Sequence, residues 1–194
     1  MTPPQLVLAS TSPYRRELLS RLQLPFEVCP PEVDETAADG EAPGTLAVRL
    51  AQAKAAAVAH RYPAAVIIGS DQVAALGPRI LDKPGNRENA IQQLEVASGQ
   101  RVDFHTAVAV LNARTGVCRA ELALVRVRFR PLARATIEAY LDREPAYDCA
   151  GSARVESLGI ALLDEVDSDD PTALIGLPLI RLVSLLAAEG IAVL

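Results

Sequence analysis

The sequence predicts an α/β protein in which a mixed β-sheet is flanked by helices. In the first half, short apolar runs alternate with segments of helical periodicity, as in parallel βα units. Further on, two long alternating stretches, "VDFHTAVAVLNA" and "VCRAELALVRVRFR", are separated only by "RTG", which predicts an antiparallel hairpin. The chain has 194 residues, half of them apolar, and no repeat or linker divides it. We therefore expect one domain over residues 1–194.

The first half is expected to contain three strands and two helices. "QLVLAS" ends an apolar run in small polar residues, so it is predicted as a strand, and "YRRELLSRLQ" after Pro13 has its leucines on one helical face. "FEVCP" is predicted as a short strand. An acidic loop then precedes an alanine-rich helix over about 45–60. The strand predicted over 64–76 is the most apolar, although polar residues interrupt its centre.

The second half is expected to contain the hairpin, three helices and two shorter extended segments. "GPR" turns the chain into "ILDKP", and a helix is predicted over 87–98. After the hairpin come a helix over 133–144, a loop, and a strand-like run over 158–166. A last helix is predicted after Asp170-Pro171, and Pro178 is expected to kink or delay it.

Charge and cysteine content narrow the class of partner. The net charge of −5 and the pI near 5.1 disfavour a nucleic-acid polymer as partner, because binding its backbone usually needs a basic surface. Arg126, Arg128 and Arg130 alternate on one strand, and we interpret them as a solvated sheet face. The sequence contains no run of about 18 apolar residues, so it predicts no membrane helix. Three widely spaced cysteines fit reduced thiols, so a cytoplasmic location is expected.

The stretch from Ser10 to Arg16, "STSPYRR", has the features of a phosphate cradle. It offers hydroxyl groups, the backbone amides of a helix N-terminus, and the two guanidinium groups of Arg15 and Arg16. The alternative is an ordinary helix N-cap with solvated arginines, which is common in proteins. The glycines of a P-loop or a dinucleotide-binding fingerprint are absent.

A second anomaly is Asp71, a carboxylate in the middle of the apolar run "VIIGSDQVAAL". Burying it without a partner or a metal would be costly, so we expect it to open into a cleft, unless it ends the strand in a turn. Glu35, with Glu32 and Asp34, could join it around a hard cation through oxygen ligands, although such an acidic loop is more often simply solvated. Lys54 and Lys83 could each reach a phosphate, although a single lysine is more often a solvated surface charge.

The phrase "CAGSAR" allows a different chemistry, with Cys149 as a thiolate nucleophile and Arg154 binding phosphate. The spacing is one residue short of that phosphatase loop, and no histidine begins it. Asp148 precedes the cysteine and would disfavour the thiolate. This interpretation is the weaker one.

Seven motifs in register resemble the Maf family of nucleoside triphosphate pyrophosphatases across essentially the whole chain. They are "LASTSPYRREL", "PEVDE", "RLAQAKA", "IIGSDQV", "DKP", "CAGSARVES" and "LIGLPL". The resemblance implies two lobes with a central cleft, related to the inosine triphosphatase-like fold, and often a homodimer. It implies hydrolysis of a nucleoside triphosphate to monophosphate and pyrophosphate with a divalent cation, Mg²⁺ or Mn²⁺.

The resemblance also implies roles for individual residues. Ser10, Arg15, Lys54 and Lys83 would hold the triphosphate. Glu35 and Asp71 would serve the metal and the attacking water, with Asp71 as the general base. Members of the family commonly have glycine before the lysine of the "KP" motif, where this chain has Asp82.

Three further positions bear on the choice of base. Tyr14, Gln72 and Glu156 stand where the pyrimidine-hydrolysing members typically have arginine, threonine and glutamine, and they resemble the group that acts on 7-methyl-GTP. Tyr14 could stack on the cationic methylated guanine, and Glu156 could accept the two donors of the guanine edge. The alternatives are the same chemistry on dTTP, UTP or other nucleotides, and a nucleotide-binding regulator of cell division.

Overall fold

The computed structural model describes residues 4–194, and the mixed α/β class predicted from the sequence is confirmed. The described strands are β1 (Leu6–Ala9), β2 (Glu27–Val28), β3 (Val66–Leu76), β4 (Arg79–Leu81), β5 (Arg101–Asn112), β6 (Val117–Phe129) and β7 (Leu163–Asp167). The α-helices are α1 (Pro13–Ser20), α2 (Pro43–Ala59), α3 (Arg87–Ala97), α4 (Arg134–Arg143) and α5 (Leu179–Ala188).

The strands form one mixed sheet in the order β2-β1-β3-β5-β6-β7, with β4 paired beside β3. β1 lies parallel to both β2 and β3, and its register places Leu6 opposite Val66. β4 and β7 are antiparallel to β3 and β6, respectively. The hairpin is confirmed, because β5 and β6 are neighbours joined by a short turn.

The chain divides into two compact units, and it passes between them within β3, β5 and β6 and again between Asp169 and Asp170. The first unit consists of the described residues up to Asp71 together with Thr106–Ala123 and Asp170–Leu194. In this unit, successive side chains of β1 point to opposite faces of the sheet, so β1 contributes to two separate apolar clusters. Leu6 and Leu8 pack with the leucines of α1 and α5, whereas Val7 and Ala9 pack with Ala55 and other residues of the α2 side.

The second unit consists of Gln72–His105 and Leu124–Asp169. Its core contains Leu94 of α3, Ile137 of α4, and the strand residues Phe104 and Phe129, all of them buried. Gly151 lies against Phe104, and its positive φ of 72° explains why a glycine stands there.

One expectation about local structure needs correction, and a second, the delay of the last helix by Pro178, is confirmed. The run 158–166 is not one strand: Leu158–Leu162 form a 3₁₀ turn, and only the residues from Leu163 onward pair in β7. The turn is fixed because the Gly159 N–H donates to the Glu144 carboxylate at 3.1 Å, and a β-carbon at Gly159 would collide with the Arg154 carbonyl oxygen. The last helix begins at Leu179 rather than soon after Pro171, so Pro178 delays it.

β3 runs through its polar centre without a break. Asp71 therefore lies within a strand and not in a terminal turn, which excludes that alternative. Among the helices of residues 4–194, none has the length and apolar character that crossing a bilayer requires.

Candidate active site

The predicted phosphate cradle folds as a capped helix start. Ser12 is the N-cap of α1, its hydroxyl accepts a hydrogen bond from the Arg15 amide at 3.4 Å, and Pro13 occupies the first turn. The Ser12 amide donates to the hydroxyl of Ser10, which is buried, at 3.1 Å. The capping interpretation is therefore right for Ser12, and the hydroxyl of Ser10 is fixed by this turn.

The two arginines of the cradle differ in environment. Arg16 is exposed, whereas Arg15 is partly buried and its Nε donates to the Gly176 carbonyl oxygen at 2.8 Å. Burial lowers the pKa of the Arg15 guanidinium, and the carboxylates of Asp71 and Glu35 act in the opposite direction. Arg15 is thus a fixed cation close to two carboxylates, and not a solvated arginine.

The side chain of Lys54 connects α2 with β3 and with the acidic loop that carries Glu35. Its Nζ lies 2.6 Å from Asp71 Oδ1 and 2.6 Å from Glu35 Oε1. The side chains of Lys54 and Asp71 are only 8% and 10% exposed, whereas that of Glu35 is 58% exposed. Asp71 therefore has the partner that its buried position requires, and the expectation of a solvated lysine is wrong for Lys54.

Gly69 explains how α2 comes close enough to β3 for this ion pair. Gly69 and Asp71 lie on the same side of β3, two residues apart. A β-carbon at Gly69 would lie 2.0 Å from the Ala51 carbonyl oxygen and 2.8 Å from the Ala55 amide nitrogen. Only glycine allows this approach of the α2 backbone, which sets Lys54 beside Asp71.

A second set of contacts holds the acidic loop that carries Glu35. Arg49 of α2 donates from Nε and Nη2 to the two oxygens of Glu41, at 2.8 and 2.7 Å, and from Nη2 to the Thr36 carbonyl at 3.0 Å. This hydrogen bonding to Arg49 lowers the pKa of Glu41 to about 2. The loop is therefore attached to α2 at two residues that follow Glu35 in the chain.

The carboxylate pair fits a hard divalent cation. Glu35 and Asp71 already share one cation, the Lys54 ammonium group, and carboxylate oxygens are the ligands that Mg²⁺ and Mn²⁺ prefer. Within residues 4–194, no cluster of three or more His, Cys, Asp or Glu side chains could hold a metal by itself. Two carboxylates completed by substrate phosphates are a common donor set for Mg²⁺.

A groove of about 1070 Å³ runs along α1 and β2 in the first unit. Ser10, Ser12 and Arg16 contribute its polar wall, and Leu24 and Phe26 contribute apolar surface. The hydroxyl side of the cradle is therefore accessible from this groove, at a size typical of ligand pockets.

The remaining predicted phosphate ligand, Lys83, lies in the second unit and is exposed, as a solvated lysine would be. Its flanking backbone is nevertheless fixed. The Asp82 carbonyl accepts from Gln93 at 2.7 Å, and the Pro84 carbonyl accepts from Asn89 at 2.9 Å. Both donors belong to α3, so this helix fixes the backbone on either side of Lys83.

The loop with Glu156 is held by polar groups of the second unit, one buried and one exposed. The Arg154 amide donates to the hydroxyl of Tyr140 at 3.0 Å, and its guanidinium pairs with Asp148 at 3.0 Å. Glu156 is exposed as a residue, but partial burial of its carboxyl group raises its pKa, which Glu144 also raises and Arg154 lowers.

The thiol of Cys149 is poorly suited to nucleophilic attack. Burial and, to a lesser degree, the neighbouring Asp148 carboxylate raise its pKa to about 11, although Arg154 opposes this. A cysteine nucleophile needs a lowered pKa, so the structure argues against the phosphatase interpretation.

The arginines of β6 and its end form surface ion pairs. Arg126, Arg128 and Arg130 pair with acidic residues of β7, which accords with a solvated sheet face.

The other base-recognition candidates occupy partly buried positions. Tyr14 lies in the first turn of α1, and Gln72 follows Asp71 directly in β3. Tyr14 belongs to the first unit, whereas Gln72 and Glu156 belong to the second.

Sequence reasoning missed three residues that position the candidate site. These are Gly69, Ser70 and Gly176. The Ser70 hydroxyl lies 3.0 Å from the Gly176 carbonyl oxygen, which also accepts from Arg15. "IIGSDQV" and "LIGLPL" marked these positions as motifs, but the contacts bridge up to 161 residues and have no local signal.

This chain is similar to one protein family and to several named proteins along nearly its whole length. The sequence model of the family described as Maf-like protein matches residues 5–189. A protein of Albidiferax ferrireducens named 7-methyl-GTP pyrophosphatase is 58% identical over 190 residues, covering 98% of this chain and 96% of that protein. Proteins with the same name from Polaromonas sp. and Thiobacillus denitrificans are 59% and 54% identical, covering 96% and 100% of this chain and 85% and 96% of their own lengths.

Proposed function

Because this chain belongs to the family of Maf-like proteins, we propose that it is a nucleotide pyrophosphatase that hydrolyses 7-methyl-GTP to 7-methyl-GMP and pyrophosphate. The observation that carries the proposal is Lys54, buried between Asp71 and Glu35 and contacting both at 2.6 Å. Relatives that cover nearly the whole chain bear the name of this activity, which supports the choice of substrate.

Binding of the triphosphate falls to four residues. Arg15 uses Nε for the Gly176 carbonyl, so the terminal nitrogens are the part of its guanidinium that can grip a phosphate. Lys54 and Lys83 add positive charge, and Ser10 adds a hydroxyl group. Held cations of this kind neutralise the charge that develops on the pyrophosphate leaving group.

Glu35 and Asp71 would hold the divalent cation, which supplies charge neutralisation at the phosphates when it is bound. The same two carboxylates hold the Lys54 ammonium group in this structure. Lys54 therefore keeps the two carboxylates together before substrate arrives, and its ammonium group would add positive charge near the incoming phosphates.

Asp71 acts as the general base for the attacking water. Lys54 contacts its Oδ1, which leaves proton acceptance to Oδ2 while the lysine remains in place. The accepted proton comes from a water aimed at the α-phosphorus, because the cationic residues hold the β- and γ-phosphates as the leaving group.

Recognition of the base falls to Tyr14 and Glu156. The N7-methylated guanine is cationic and stacks on an electron-rich ring such as that of Tyr14. Its N1–H and exocyclic amine are adjacent donors for the Glu156 carboxylate, whereas UTP presents carbonyls there. A site built to accept two donors rejects such a base, so selectivity depends chiefly on Glu156.

We also propose a reducing, cytoplasmic location and a homodimer. The three cysteines Cys29, Cys118 and Cys149 are all unpaired thiols, which suits a reducing compartment. Sedimentation of the purified protein would measure the oligomeric state directly.

The activity is tested by incubating the purified protein and Mg²⁺ with 7-methyl-GTP, GTP, UTP and dTTP and identifying the products. We expect 7-methyl-GTP to give the highest kcat/KM. Asp71→Asn should lower kcat by ~10²–10⁴-fold, the usual contribution of a positioned base. Asp167→Asn, the same change at an exposed carboxylate paired with Arg126, is the control and should leave kcat unchanged.

Two outcomes would contradict the proposal. A preference for UTP or dTTP would assign the base pocket to pyrimidines. Tight nucleotide binding without turnover, unaffected by Asp71→Asn, would favour a binding regulator instead of an enzyme.

A further inference from the structure

A buried carboxylate organises the segment that ends at α5. Asp170 is fully buried. Its Oδ1 accepts hydrogen bonds from the Thr172 amide at 3.1 Å and from the Thr172 hydroxyl at 2.7 Å, and its Oδ2 accepts from the Ile180 amide at 2.9 Å. The carboxylate thus joins the start of the segment to the first turn of the helix that follows it.

Thr172 extends this connection. Its hydroxyl accepts from the Leu179 amide at 2.8 Å while donating to Asp170. The N-cap of α5, Pro178, has no side chain that can cap the helix, so the first amides of α5 are satisfied from Asp170 and Thr172 instead. Segment 170–178 is therefore closed into a loop by its own polar side chains.

The loop presents the Gly176 carbonyl to two other elements of the first unit. Arg15 of α1 donates to this oxygen at 2.8 Å, and Ser70 of β3 lies 3.0 Å from it. Gly176 has a φ of 123°, a backbone conformation that favours glycine. The direction of this carbonyl, and so the place where Arg15 Nε can bind, depends on how the loop is closed.

We propose that Asp170 is a positioning residue for the anion site, because it fixes the loop whose Gly176 carbonyl orients the Arg15 guanidinium. The inference rests on the proposed function of Arg15 at the triphosphate. Asp170 touches neither substrate nor reacting atoms in this account and acts only through the loop.

The chemistry of these donors, together with the Arg181 guanidinium 3.9 Å from Oδ2, explains why an aspartate is needed. An asparagine at this position could accept from Thr172, but its amide group would face the Ile180 N–H donor to donor. Leu177 remains anchored in the apolar cluster with Leu18 and Leu182. Asp170→Asn should therefore loosen the loop without unfolding the unit.

The test measures the affinity of the protein for inorganic pyrophosphate by calorimetry in a double-mutant cycle. We expect Arg15→Gln to weaken binding ~10- to 100-fold and Asp170→Asn to weaken it ~3- to 10-fold. In the Arg15→Gln background, Asp170→Asn should have no further effect, because its influence passes through Arg15.

A spectroscopic readout follows the contact itself. The Nε–H signal of Arg15 in a proton–nitrogen NMR spectrum should move upfield in Asp170→Asn as its hydrogen bond to Gly176 weakens. Glu189→Gln is the matched control: Glu189 lies at the other end of α5, where its carboxylate binds Asn112 and Arg119. It should leave both the signal and the affinity unchanged.

The outcomes separate the inference from the proposed function. If Arg15→Gln leaves pyrophosphate binding unchanged, the proposed anion site is wrong, and the inference is lost with it. If Arg15→Gln weakens binding but the effects of the two substitutions add, or if Glu189→Gln moves the Arg15 signal as much as Asp170→Asn, only the positioning role is refuted.

Discussion

Replacing Lys54 with methionine tests the ion pair at the centre of the site. Methionine keeps an unbranched apolar side chain and removes the charge. Removing one partner of a buried ion pair costs about 3–5 kcal/mol, because the other charge is left buried. The side chain of Asp71 is only 10% exposed, so this cost applies to it, although the charge of Arg15 offsets part of it. Glu35 is 58% exposed, and its contact with Lys54 contributes at most about 1 kcal/mol.

The measurement is the free energy of unfolding in urea at neutral pH. We expect Lys54→Met to lower it by about 3–5 kcal/mol, and we expect Asp71→Asn in the same chain to recover much of that loss by removing the unpaired charge. Lys83→Met removes an exposed lysine and should change stability by less than about 0.5 kcal/mol.

A divalent cation should replace the missing charge. Mn²⁺ is expected to raise the unfolding temperature of Lys54→Met more than that of the unmodified protein, because Lys54 no longer competes for the two carboxylates. This difference should disappear when Asp71→Asn is added. A loss below about 1 kcal/mol in Lys54→Met, or a loss that Asp71→Asn deepens, would refute the reasoning.

Three further predictions concern packing, pH and selectivity. Gly69→Ala should cost about 3 kcal/mol or more and reduce activity, since its β-carbon would lie 2.0 Å from the Ala51 carbonyl oxygen. Gly85→Ala meets no atom within 4 Å, and its positive φ of 72° alone should cost about 1–2 kcal/mol; equal losses of stability in urea would contradict the steric account. Hydrogen bonding to Arg49 lowers the pKa of Glu41 from 4.5 to about 2, so the Glu41–Arg49 contact stabilises the protein fully above pH 4.5 and loses this effect as the pH falls towards 2. The difference in unfolding temperature between the unmodified protein and Glu41→Gln should therefore vanish over that pH range. A difference that does not depend on pH would exclude this contribution of Glu41. Glu156→Gln should lower kcat/KM for 7-methyl-GTP much more than for UTP, whereas equal losses would remove Glu156 from base recognition.

The long elements could be predicted from periodicity because their apolar patterns agree with their packing. β3 and α2 lie within two residues of their expected bounds. The run after Ser157 misled the prediction, since its apolar residues also suit a strand. Gly159 packs against the Arg154 carbonyl and donates its N–H to the buried Glu144 carboxylate, and these contacts make the run a 3₁₀ segment instead. Such contacts with residues far away in the sequence do not change the local periodicity of apolar residues, so periodicity does not predict them.

The candidate site could be predicted in part for a similar reason. The cost of burying a charge singled out Asp71 before any partner was known. Its partner Lys54 lies 17 residues away on a helix, and the close approach of that helix depends on Gly69. The Arg15–Gly176 contact joins residues 161 positions apart and involves a backbone carbonyl, which no sequence pattern reveals.

The most direct test of the central claim is hydrolysis of 7-methyl-GTP in water that carries heavy oxygen. If Asp71 directs water at the α-phosphorus, the heavy atom will appear in 7-methyl-GMP, and the released pyrophosphate will contain none. Mass spectrometry of the two products distinguishes them in one reaction. Heavy oxygen in pyrophosphate, or release of orthophosphate and a nucleoside diphosphate as the first products, would contradict the account.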